Sequence, residues 1–96
     1  MSGDTVIIQV GNSDDRLSQY EWALFIAELR SVIEQNVVQV HFSGGSDWCA
    51  PWQNACWVCQ IADDANVEQL IEKIQDCRGR HRQDAVAVTV GTTRFV

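Results

Sequence analysis

The chain has 96 residues, 46% of them hydrophobic and 21% charged, with six glycines and one proline. That composition fits one globular domain over residues 1–96 and excludes disorder, collagen, repeat arrays and a multidomain enzyme with its own cofactor domain. A net charge of −6 repels phosphate backbones, so nucleic acid is not an expected partner, whereas a basic protein is.

Residues 5–10 are rich in β-branched side chains and stop at Gly11-Asn12, which predicts a strand followed by a turn through Asp14 and Asp15. Ser18-Gln19-Tyr20-Glu21 has capping-box spacing, with Leu17 and Trp22 placed as a hydrophobic staple. Trp22, Phe25, Ile26, Leu29, Val32 and Ile33 then recur every three or four residues, the stripe of an amphipathic helix that Asn36 is expected to end in a left-handed turn. Residues 37–42 read as a second strand ending at Ser43-Gly44-Gly45, and residues 54–62 as a third. Asp63 and Asp64 offer N-caps to a second helix with the stripe Val67, Leu70, Ile71, Ile74 and Cys77, which Gly79 is expected to stop. Residues 85–90 read as the last strand, ended by Gly91.

The order βαββαβ resembles the split-βαβ, ferredoxin-like plan. The resemblance implies an α+β fold: a four-stranded antiparallel sheet, two helices on one face, and here an extended loop between strands 2 and 3. That plan hosts many unrelated functions, so function must come from particular residues.

Alternation places Val6, Ile8, Val10, Val38, Val40, Phe42, Trp57, Cys59, Ile61, Val86, Val88 and Val90 under the helices. The other face receives Thr5, Ile7, Gln9, Val37, Gln39, His41, Cys56, Val58, Gln60, Ala85, Ala87 and Thr89. A sheet face without charge is suited to cover by a second copy, which predicts a homodimer. RNA-recognition domains carry stacking aromatics on that face, and none is expected here.

Cys56 and Cys59 have CxxC spacing, but residues three apart on a strand point to opposite faces and their sulfurs diverge. No cofactor is expected. The alternative to a binding protein is a small-molecule- or metal-binding enzyme built on His41, Cys49 and Cys56, which lacks a clear fourth zinc ligand. Cys59 and Cys77 are expected to be buried thiols. Arg78, Arg80, His81 and Arg82 form a basic run, read as a solvated loop. The connection between strands 2 and 3 exceeds the usual two to five residues of a hairpin and carries Asp47, Trp48, Pro51 and Trp52. Tryptophan is enriched at binding hot spots. The sequence thus points to a small acidic, non-catalytic interaction protein of the inhibitor, immunity or phage-accessory kind. Its expected partner-binding residues are Trp48, Trp52, Asp47, Gln39, His41, Val58 and Gln60. No segment reaches the ~18 apolar residues of a membrane span and no signal peptide is visible at Met1, so the expected location is the cytoplasm.

Overall fold

The computed structural model describes residues 3–46 and 53–96. Four strands, β1 (Gly3–Gly11), β2 (Gln39–Gly45), β3 (Asn54–Ile61) and β4 (Ala87–Thr93), form one sheet in the order β2-β3-β1-β4, with every neighbouring pair antiparallel. Helices α1 (Gln19–Asn36) and α2 (Asp64–Arg80) complete the βαββαβ order. No helix among the described residues is long and apolar enough to cross a membrane.

The core follows the period-two pattern of the two central strands. Val6, Ile8 and Val10 of β1 pack with Trp57, Cys59 and Ile61 of β3 against Phe25, Leu29 and Ile33 of α1 and Leu70, Ile74 and Cys77 of α2. The register sets Val6 opposite Cys59 and Ile8 opposite Trp57, so large apolar side chains meet across the strands on the helix side.

α1 starts as its capping box dictates: the Ser18 hydroxyl accepts from Glu21 N, and a Glu21 carboxylate oxygen accepts from Ser18 N. The Asp63 carboxylate caps α2 by accepting from Asn66 N. The helix ends differ from expectation. Asn36 stays helical and its side-chain amide donates to Val32 O, while Val37 leaves α1 in an extended conformation. Gly79 lies inside α2, and the left-handed residue is Arg82, at φ 58°. The turn expected at Asp14 and Asp15 is a short 3-10 turn in which both residues are left-handed.

The largest departure from simple alternation is in β2. Val40 faces Cys59, but Phe42 faces Val58, so the register slips by one residue at His41. Such a bulge puts two residues opposite one and reverses the sidedness of everything after it. Phe42, expected in the core, therefore shares the open face with Val58 and is 59% exposed. Val38, also expected in the core, precedes β2 and is exposed. Val90 keeps the helix-side row opposite Val6 but lies on an edge strand and is half-exposed.

Candidate functional site

Two regions stand out: the open sheet face, and the end of the molecule where the β1–α1 and α2–β4 connections meet the start of β3.

On the open face, Ile7 stands opposite Val58 and Thr89, Gln9 opposite Cys56 and Ala87, Gln39 opposite Gln60, and Thr5 opposite Gln60 and Gly91. Among the described strand residues in these rows there is no Asp, Glu, Lys or Arg. Phe42 adds an exposed ring that the sequence reading missed. A Cβ at Gly44 would come within 3.0 Å of that ring, so the glycine makes the room in which it lies. The ring walls an open hollow of about 510 Å³ that also takes in Gln9, Gly44, Asn54 and Cys56. A second hollow of about 200 Å³ holds His41 with Thr5, Val58 and Gln60, and Asp4, Thr93 and Phe95 complete its lining. Phe95 follows β4 and is 81% exposed. The hydroxyls of Thr5 and Thr93 meet beside this hollow.

His41 and Cys56 therefore belong to separate hollows. The register of β2 on β3 places Gly44, not His41, opposite Cys56. The divergence of Cys56 and Cys59 is as expected: Cys56 is half-buried on the open face and Cys59 lies in the core. Burial pushes the Cys59 thiol up to about 11. Of the residues singled out from sequence, Gln39, His41, Val58 and Gln60 share the open face. Asp47, Trp48, Cys49 and Trp52 lie outside the described residues.

At the loop end, the buried Asn12 is a hub. Its amide nitrogen donates to Leu17 O at 2.8 Å and to Gln53 Oε1 at 3.0 Å, its amide oxygen accepts from Leu17 N at 3.0 Å, and its own N–H donates to Gln53 O. This joins the β1–α1 connection to the chain entering β3. Arg16 donates to both carboxylate oxygens of Asp84 at 3.0 and 3.2 Å and to Arg82 O at 2.9 Å. The fork with Asp84 raises the Arg16 pKa. Arg16 thereby links Asp14, whose carboxylate it also contacts, to Arg82, both left-handed residues. Nothing in the sequence pattern marks the Arg16–Asp84 pairing, because its members are far apart in the chain.

The basic run is not a free loop, as the sequence reading had it. Arg78 donates to the backbone oxygens of Gln83 and Asp84, Arg80 to Glu28, and Arg82 to Glu21. His81 contacts Glu28 as well. The run is thus a latch between the end of α2 and the acidic side chains of α1. The Glu21 carboxyl is held low by hydrogen bonds at Ser18 and by the Arg82 charge. Burial pushes the Glu28 carboxyl up, but hydrogen bonds from Arg80, His81 and Cys77 outweigh it and the net direction is down. Burial, reinforced by the Glu28 charge, pushes the Cys77 thiol up to about 12.

No family model matches the sequence, and no curated protein matches it. Solved structures resemble it in three dimensions. A dimeric ferredoxin-like protein of unknown function from Thermobifida fusca is 8% identical, with a TM-score of 0.66 over 95% of this chain and 92% of that one. A dimeric protein of unknown function and ferredoxin-like fold from Bacteroides fragilis is 9% identical, with a TM-score of 0.59 over 94% of each chain. The hydroxynitrile lyase of Passiflora edulis is 8% identical, with a TM-score of 0.58 over 99% of this chain and 95% of that one. At such identities the likeness speaks to architecture alone, and with the strand order and the two helices it establishes that this chain has the ferredoxin-like fold.

Proposed function

We propose that the chain is a non-catalytic interaction module whose open sheet face binds a second copy of itself. The observation that carries the reading is the lack of charge in the strand rows of this face, where Phe42 is exposed opposite Val58 and Phe95 is exposed beside the same valine. Depletion of charge and enrichment of aromatic residues are what distinguish the core of an interface from ordinary surface. A two-fold axis through such a face sets like patches against each other without bringing like charges together. A standard interface takes about 800 Å² from each partner, about one-eighth of this chain's 6251 Å² surface. The Thermobifida and Bacteroides proteins of the same fold are described as dimeric, which favours the same assembly here. The aromatics Phe42 and Phe95 could also stack on bases, but the net charge of −6 opposes a phosphate backbone.

A further partner, basic in character, would be met by the acidic surface and by Asp47, Trp48 and Trp52 of the connection between β2 and β3. Capture of such a partner would suit an inhibitor, immunity or accessory protein. The assembly is tested by light scattering. The wild-type protein is expected at twice the mass of one chain, and Val58→Lys at the mass of one chain with unchanged circular dichroism. A wild-type protein that remains monomeric at high concentration, or a Val58→Lys variant that remains dimeric, overturns the reading. A Trp48→Ala/Trp52→Ala double variant is expected to keep the dimer and its melting temperature while losing the second partner.

A further inference from the structure

The latch between the helices gathers three different metal-ligating groups. Cys77, in the last turn of α2, and His81, the residue that caps it, are four residues apart and turn their side chains to the same side. Spacing of i and i+4 is the arrangement by which helices offer two ligands to one metal. Glu28 faces them from α1, and the sulfur, imidazole and carboxylate atoms all lie within 4.8 Å of one another. Among the described residues no other such group of His, Cys, Asp and Glu occurs.

The three groups converge on one carboxylate oxygen. Arg80 grips Glu28 Oε1 with two nitrogens, at 2.7 and 3.2 Å. The second oxygen, Oε2, is the point on which Cys77 Sγ, at 3.5 Å, and His81 Nε2 converge. The Phe25 ring lies 5.1 Å from the His81 ring and holds its plane. The site sits at the C-terminal end of α2, where the helix dipole favours positive charge. The side chains of Glu28 and His81 are 36% and 22% exposed, so the site opens to solvent on one side while Cys77 closes it from within.

We propose that Glu28, Cys77 and His81 bind a divalent cation of the zinc class. The donor set selects it: a thiolate and an imidazole favour a borderline-soft ion, whereas magnesium and calcium require oxygen ligands. Binding takes the thiol proton from Cys77 into solvent and leaves the imidazole proton on Nδ1, so that Sγ, Nε2 and Oε2 each present a lone pair. The fourth tetrahedral position faces solvent and takes water. Arg80 is a positioning residue, since it holds the carboxylate by the oxygen that the cation does not use.

The test is titration of the reduced, chelator-treated protein with cobalt(II), followed by absorption. The wild-type protein is expected to bind one equivalent, with a thiolate-to-cobalt charge-transfer band and the intense visible bands of a tetrahedral ion. Cys77→Ser should abolish the charge-transfer band, and His81→Gln and Glu28→Gln should weaken binding. Arg80→Gln should weaken it by about 10- to 100-fold, as loss of an outer-shell partner does. Cys56→Ser and His41→Gln should bind as the wild type does. Absence of the band in the wild type overturns the proposal, and so does a band that persists in Cys77→Ser or disappears in Cys56→Ser. Should Cys77→Ser fail to fold, cadmium-113 NMR of the wild-type protein decides. A resonance coupled to Cys77 alone supports the site, and a shift showing two or more thiolates overturns it.

Discussion

Replacing Asn12 with Ala removes the hub of the loop end without touching the hydrophobic core. Its amide satisfies both the N–H and the C=O of Leu17 where they are buried, and also accounts for one hydrogen bond to the Gln53 side chain. A buried group left without a partner costs about 1–3 kcal/mol, so the two backbone groups alone set a range of about 2–6 kcal/mol. Water entering the space left by the amide recovers part of this, and the expected loss is about 3 kcal/mol. For a domain of this size each kcal/mol moves the melting temperature by about 4–8 °C, so the variant should melt about 12–24 °C lower. Urea unfolding is the primary assay: the midpoint should fall with the slope unchanged, as for a native-state contact. Asn12→Asp sharpens the test. Its carboxylate can still accept from Leu17 N but sets an oxygen against Leu17 O and Gln53 Oε1. It should therefore be destabilised at pH 7 and recover as the pH falls and the acid gains a proton to donate. A loss below about 1 kcal/mol in Asn12→Ala, or an Asn12→Asp variant indifferent to pH, would refute the hub.

Thiol labelling of the reduced native protein should modify Cys56 and leave Cys59 and Cys77 untouched until unfolding, since both are wholly buried; rapid native labelling of either would contradict the β3 register or the α2 face. Both buried thiols have pKa values raised above the ordinary 9.0, to about 11 and 12. Their neutral forms stabilise the fold fully below pH 9, and that contribution should be lost as the pH rises through 11 to 12, which alkaline urea titrations will show. Glu28 works in the opposite sense: its lowered pKa stabilises the fold above its ordinary value of 4.5, and this is lost as the pH falls through the depressed value. Glu28→Gln should flatten the acid limb of the stability profile, and an unchanged limb would show that the latch carries no linkage.

The parts of the structure legible from sequence are those fixed by short-range rules. Alternation along β1 and β3 holds because both strands are central and regular, so Val6, Ile8, Trp57 and Cys59 take their expected face. The Ser18–Glu21 box spans one turn and reads directly. The helix ends were not legible because Asn36 and Gly79 are only statistical stops; α2 continues past Gly79, and Arg82, tied through its carbonyl to Arg16, takes the left-handed conformation. On the open face the polar rows of β1 and β3 were legible, but Phe42 was not. A bulge depends on how β2 pairs with β3, and no residue in β2 announces it. The latch was invisible for a similar reason: Glu28 and His81 are 53 residues apart in the chain, and periodicity does not report which charged side chains meet.

The bulge at His41 has a consequence for misassembly as well as for the face. β2 is an edge of the sheet, and the outer side of an edge strand is a row of unpaired N–H and C=O groups that can template another strand. A straight run of seven residues would be a long template. The slip at His41 divides it into Gln39–Val40 and Phe42–Gly45, and the added twist keeps an incoming strand from pairing with both in one register. Deleting His41 would restore the even repeat and rejoin the two pieces into one uninterrupted edge, while Phe42, then directly after Val40, would stay opposite Val58. The bulge thus leaves Phe42 on the broad face and at the same time denies the edge to strand-by-strand growth.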